Sequence, residues 1–200
     1  MFRYGFELEG FFRAGDIPPE NFPVDGFPGL IEIRTVGHHT LDDAIGLLLS
    51  NILAEPVKCL VNWSMHEHTF TPEQKRALRK KGGYKAPADV QNIYGKKPKS
   101  LGNKTIASFQ INVSNLVSHG FTDTNGKHHP DVFSLLDVPK IVKSLDKEFM
   151  PEIKAAKRQP GEYCIKGDRL EYRSLPNGTF PPQLHLIPHL VSRIRKAVEQ

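Results

Sequence analysis

The chain is poor in the features that usually announce a class. It has only two cysteines, Cys59 and Cys164, each within an apparently apolar strand-like segment, so no disulfide framework is expected and each thiol reads as a small hydrophobe. No window approaches the ~18 apolar residues of a membrane span, and Met1-Phe-Arg-Tyr-Gly carries no basic region leading into an apolar run. The expectation is a cytoplasmic protein with no membrane partner, in which the Asn-x-Ser/Thr triplets at Asn62, Asn103, Asn112 and Asn177 are chance. Internal repeats and low-complexity tracts are absent. A Gly-x4-Gly-Lys-Ser/Thr phosphate loop is absent too, since Lys81-Gly-Gly-Tyr84 is too short to serve as one.

What is present is enough apolar material, 38% of 200 residues, to bury a core. We expect a single domain over residues 1–200. The net charge of +5 is uneven: from Pro72 to Lys104 ten Lys/Arg stand against Glu73 and Asp89, a net +8 that leaves −3 for the rest. A basic insertion at about 64–104 on a slightly acidic body suits an anionic partner, such as nucleotide phosphate or nucleic acid.

Hydrophobic periodicity organises the remainder. From Phe2 to Leu8 apolar residues alternate, which puts Phe2, Tyr4, Phe6 and Leu8 on one face of a strand and Arg3, Glu7 and Glu9 on the other. Gly15 to Gly29 reads as a Pro/Gly-rich loop, followed by a strand at Leu30–Val36 with Glu32 and Arg34 on a common face. Thr40 with Asp43 opens a helix ending near Glu55-Pro56, Val57–Trp63 is a third strand, and Thr71-Pro-Glu-Gln starts a helix through Lys80. Thr105–Ser114 forms a fourth strand with Ala107, Phe109, Ile111 and Val113 inward and Ser108, Gln110, Asn112 and Ser114 opposite. Asp137 caps a helix bearing Ile141, Val142, Leu145 and Phe149, with a further turn or two over Glu152–Arg158. A hairpin over Glu162–Lys166 and Arg169–Ser174, then an amphipathic helix at Leu190–Val198, completes an α+β pattern.

Four strands thus present polar pairs at i and i+2: Glu7 with Glu9, Glu32 with Arg34, Gln110 with Asn112, and Glu171 with Arg173. Each pair alone is ordinary, and Arg34 or Arg173 can serve simply as a salt-bridge partner of its neighbour. If the strands join one curved sheet, Glu7, Glu9, Glu32 and Glu171 gather on its concave face, where they cannot all stay ionised without cations. Oxygen ligands and phosphates suit Mg²⁺ or Mn²⁺, and an adjacent arginine would neutralise charge on a transferred phosphoryl group.

The ordered set Gly5-Phe-Glu-Leu-Glu-Gly10, Asp25 to Glu32-Ile-Arg34, Ser108-Phe-Gln-Ile-Asn112 and Leu170-Glu-Tyr-Arg-Ser-Leu-Pro-Asn177 resembles the glutamine synthetase/glutamate–cysteine ligase superfamily, and within it the phage-type amidoligases, or COOH–NH2 ligases. Asp25 and Glu32 are seven apart, as in that pattern. The resemblance implies a curved, mainly antiparallel sheet of half-barrel form with helices on its outer face. It implies metal ligation by Glu7, Glu9, Glu32 and Glu171, a metal or amine role for Asp25, and phosphate contact by Arg173. The matching family strand carries a histidine where this chain has Gln110, whose oxygen remains a metal ligand or hydrogen-bond acceptor, with Asn112 beside it. The activity implied is ATP-dependent joining of a small-molecule or peptide carboxylate to an amine through an acyl phosphate, with Mg²⁺ or Mn²⁺, in the host cytoplasm if the gene is a phage's.

Arg34 would meet an acidic substrate, and His66 lies where the third strand ends, at the substrate side of such a site. The other histidine pairs lack zinc spacing. Two further readings compete. A metal-dependent nuclease would use Asp25, Glu32 and Arg34 with DNA on the basic insertion, but leaves Glu171 and Arg173 idle; a nucleic-acid-binding module would use the insertion alone.

Overall fold

A computed structural model of the chain describes residues 2–12, 30–35, 39–54, 61–62, 67–69, 72, 76, 89–97, 104–122, 124–125, 128–134, 136–167, 169–181 and 183–200. It is an α+β fold built on a seven-stranded sheet. The strands are β1 (Arg3–Phe12), β2 (Leu30–Arg34), β3 (Val61–Asn62), β5 (Gln91–Asn92), β7 (Ser108–Ser114), β10 (Glu162–Lys166) and β11 (Arg169–Pro176). Their order is β2-β1-β7-β11-β10-β5, with β3 on the remaining part of β1, and every pairing is antiparallel. Two small two-stranded sheets stand apart: β4 (Glu67–Thr69) with β6 (Lys104–Ile106), and β8 (Leu116–Thr122) with β9 (His128–Ser134). The large sheet is open.

Helices α1 (Leu41–Ala54), α2 (Val138–Ala155) and α3 (Ile187–Glu199) pack on the apolar side of this sheet. Helix α1 (Leu41–Ala54) starts where Thr40 satisfies Asp43: its hydroxyl accepts the Asp43 N–H at 3.3 Å and donates to Asp43 Oδ2 at 2.6 Å. Helix α2 (Val138–Ala155) starts where Asp137 Oδ1 accepts the Lys140 N–H at 3.0 Å. It kinks at Phe149, because Pro151 lacks an N–H and its ring displaces the carbonyl four residues back. Helix α3 (Ile187–Glu199) begins three residues before the expected start, with Pro188 in its first turn, where proline is tolerated.

The core follows the predicted alternation. Tyr4, Phe6 and Leu8 of β1, Phe109, Ile111 and Val113 of β7, and Leu170 and Tyr172 of β11 are buried against Leu48 of α1, Leu145 and Phe149 of α2, and Ile194 of α3. Phe6 and Phe109 stack with centroids 5.5 Å apart, so truncating either to alanine would cost roughly 3–5 kcal/mol.

Two sequence expectations need correction, the single strand at Thr105–Ser114 and the apolar setting of Cys164. Thr105–Ser114 is two strands: at Ala107 the chain leaves β4 and joins β1 and β11, and Ala107 is itself fully buried at the junction. The β8–β9 hairpin is absent from the sequence reading, because Gly120 opposite Pro130 and a run of histidines obscure any strand pattern. Of Val57–Trp63, only Val61–Asn62 lies within the described residues, as does only Pro72 and Arg76 of the helix expected through Lys80, both helical. Cys164 is buried, but it lies opposite Glu171 on the polar face and not among hydrophobes.

Candidate active site on the polar face of the sheet

Because the strands alternate, everything not turned into the core collects on the opposite face, and the ladders set it out in rows. Glu9 of β1 faces Glu32 of β2; Glu7 lies between Arg34 and Gln110; Gly5 precedes Asn112, which faces Glu171, which in turn faces Cys164. Glu7, Glu9, Glu32, Gln110, Asn112 and Glu171 are all buried. Carboxylates do not bury at this density in an ordinary solvated sheet.

The protonation of these groups records the crowding. Burial, the hydrogen bond to Glu32 and the charges of Glu32 and Glu171 push Glu7 up to about 8, against a smaller opposing pull from Arg34. For its partner Glu32, burial opposes ionisation, but the hydrogen bonds from Arg34 and Glu7 and the charges of Arg34 and Arg173 hold it below the usual range. The two act as a carboxyl–carboxylate pair, with the proton on Glu7. Glu9 is pushed up to about 7 by burial and the charge of Glu32, although Ser108 opposes this by donating its N–H at 2.6 Å and its hydroxyl at 2.8 Å to Glu9 Oε2.

Strand β7 supplies neutral oxygens. Gln110 donates its amide nitrogen to Glu9 Oε1 at 3.3 Å and Ser108 Oγ at 3.0 Å, and Asn112 donates to Glu7 Oε1 at 3.3 Å. Their carbonyl oxygens, Gln110 Oε1 and Asn112 Oδ1, are left buried and without partners. Such orphaned acceptors await a donor or a cation.

Arginines frame the carboxylates. Arg34 forks onto Glu32, its second nitrogen at 2.8 Å, and Arg173 pairs with Glu171. Burial works against the Arg173 charge, yet Glu171 holds its guanidinium above the usual value. Arg173 lies in a bulge: β11 pairs Tyr172 with Ile111 but Leu175 with Phe109, leaving three steps against two. A residue that sequence reasoning missed holds that bulge. Arg158, just after α2, donates from Nη2 to the Arg173 carbonyl at 2.6 Å and from Nε to the Ser174 carbonyl at 3.1 Å. Burial depresses its pKa, while Glu162 and Glu9 support its charge. In sequence it is one more basic residue after a helix, and only the fold brings it to the site.

The structure therefore brings together eight of the ten candidate residues: Glu7, Glu9, Glu32, Arg34, Gln110, Asn112, Glu171 and Arg173. Asp25 and His66 lie outside the described residues, as does most of the basic insertion. The donor set, carboxylates plus two unpartnered amide oxygens, fits a hard divalent cation. Among the described residues no three His, Cys, Asp or Glu side chains converge on one point; Glu32 and Glu171 are engaged by Arg34 and Arg173 instead.

Compared with family models, curated proteins and solved structures, the chain finds no match in any of the three.

Proposed function

We propose that the chain is an ATP-dependent carboxylate–amine ligase that uses Mg²⁺ or Mn²⁺ on the polar face of its sheet. The observation that carries this reading is the burial of four glutamates, drawn from β1, β2 and β11, beside two orphaned amide oxygens on β7. Such a group is unfavourable without cations and favourable with them. Glu7, Glu9, Glu32 and Glu171, with Gln110 and Asn112, would hold the metal, whose chemistry would be charge neutralisation during phosphoryl transfer.

The chain's own residues would act around it. Glu7 and Glu9 would lose their protons as the cation arrives, and Ser108 would keep Glu9 fixed. Glu32 and Glu171 would turn from their arginines toward the cation, and Arg34 and Arg173 would then be released to contact phosphate oxygens in fork geometry. Gln110 and Asn112 would contribute neutral oxygens, so the site would hold its cation with less total negative charge than carboxylates alone would give. The substrate carboxylate would attack the terminal phosphoryl group of ATP as its P–O bond to the leaving ADP breaks, and an amine would then displace phosphate from the acyl phosphate, giving up a proton to solvent, to give the amide.

Hydroxylamine trapping tests this reading. Incubating the protein with ATP, Mg²⁺ and a panel of amino acids, dicarboxylates and polyamines should give metal-dependent phosphate release, and with hydroxylamine a hydroxamate of the accepted acid. Phosphate release without hydroxamate formation, for every acid in the panel, would count against ligation and leave only nucleotide hydrolysis.

A further inference from the structure

Beyond the glutamate rows, the same face ends in a row of opposite sign. Arg3 of β1 pairs with Ser114 of β7; Arg169 of β11 follows one step beyond the Val113–Leu170 pair and faces Lys166 of β10. By strand alternation Arg3, Ser114, Arg169 and Lys166 share the face of Glu7, Asn112, Glu171 and Cys164. The polar face thus runs from carboxylates at one end to cations at the other.

Two details make this more than a solvated rim. Lys166 is neutralised by Asp89, but among the described residues neither Arg3 nor Arg169 has an acidic partner. Between them stands Ser114, 3% exposed, whose hydroxyl is buried without a hydrogen-bond partner. A buried serine hydroxyl with an arginine on the strand at either side is a set of donors lacking an acceptor.

We propose that Arg3, Ser114 and Arg169 form an oxyanion subsite that takes a carboxylate or phosphate group of a ligand lying along the polar face. The guanidiniums give charge and fork geometry, and the serine hydroxyl gives a third donor. Arg3 and Glu7 are four residues apart on one strand, about 13 Å, so a short diacid such as glutarate engages the two arginines of this row and does not reach the glutamates. That the ligand is the acid substrate rests on the ligase reading; that the row binds an oxyanion does not.

The test is a ¹H–¹⁵N titration of the full chain with glutarate, with pyrophosphate, and with butyrate as a single-charge control, alongside calorimetry with Mg²⁺–ATP. Glutarate should shift the amides of Arg3, Ser114 and Arg169 together and bind at least tenfold more tightly than butyrate. Arg169→Gln and Arg3→Gln should each weaken glutarate about tenfold while leaving Mg²⁺–ATP affinity within twofold, and Ser114→Ala should weaken it less. If the arginine variants weaken pyrophosphate and Mg²⁺–ATP but not glutarate, the subsite stands and its oxyanion is nucleotide phosphate. If no anion moves these amides, or affinities are unchanged in both arginine variants, the subsite is refuted. Failure of wild type to bind Mg²⁺–ATP, with glutarate bound at this row, would instead strike the ligase reading alone.

Discussion

Ser108 and Glu9, 99 residues apart in the chain, meet at one carboxylate oxygen, which accepts both the backbone N–H and the hydroxyl of the serine. The contact joins β1 to β7 through a side chain at the point where β7 begins. It also fixes the glutamate whose charge the proposed chemistry needs.

Replacing Ser108 with alanine removes one of these two donors and a partner of Gln110. The expected cost is about 1–2 kcal/mol of folding stability, read by urea denaturation. Since both Ser108 bonds favour ionised Glu9, its pKa should rise above the present value of about 7, read by ¹³C titration of the carboxyl.

Stability of the metal-free protein should fall as pH rises. Glu7 near 8 and Glu9 near 7 hold their protons in the folded state well above the ordinary glutamate value of 4.5. Their contribution is therefore complete below about pH 4.5 and is lost as pH climbs through their folded values, for Glu9 on the order of 3 kcal/mol. Adding Mg²⁺ should raise the melting temperature more at pH 8 than at pH 5. Glu7→Gln, which keeps an oxygen for Asn112 and offers an N–H to Glu32, should remove much of the pH slope and stabilise the metal-free protein at pH 8. A slope of opposite sign in thermal scans would mean that these carboxyls are not protonated in the fold.

The sequence made this face legible because alternation is a local property. Phe2 to Leu8 and Ser108 to Ser114 each display their two faces in the residues themselves, so the pairing of Glu7 with Glu9 and of Gln110 with Asn112 needed no tertiary information. The caps at Thr40 and Asp137 and the turn at Gly167, whose φ is +63°, were legible for the same reason. What stayed hidden depends on register. The facing of Glu9 by Glu32, the bulge that carries Arg173, and the placing of Cys164 beside Glu171 follow from how strands slide against one another. Arg158 was hidden because its partners are backbone carbonyls 15 and 16 residues away, which no side-chain pattern announces.

Arg158 should prove a positioning residue for Arg173. Arg158→Met strips two carbonyls in the bulge of their donors and should destabilise the fold by roughly 2–4 kcal/mol, whereas Arg158→Lys should recover part of that. Hydrogen exchange should show faster opening confined to the Tyr172–Leu175 segment. Uniform loss of protection across β7 and β11 would mean that Arg158 supports the sheet in general and not the bulge.

The most direct test is calorimetric titration of ATP into the full-length protein with and without a divalent metal. Binding is expected in the presence of Mg²⁺ or Mn²⁺ and not in EDTA, with loss of the metal-dependent signal in Glu9→Ala and Glu171→Ala variants that remain folded. ATP binding of equal strength in EDTA, or no binding with either metal, would contradict it.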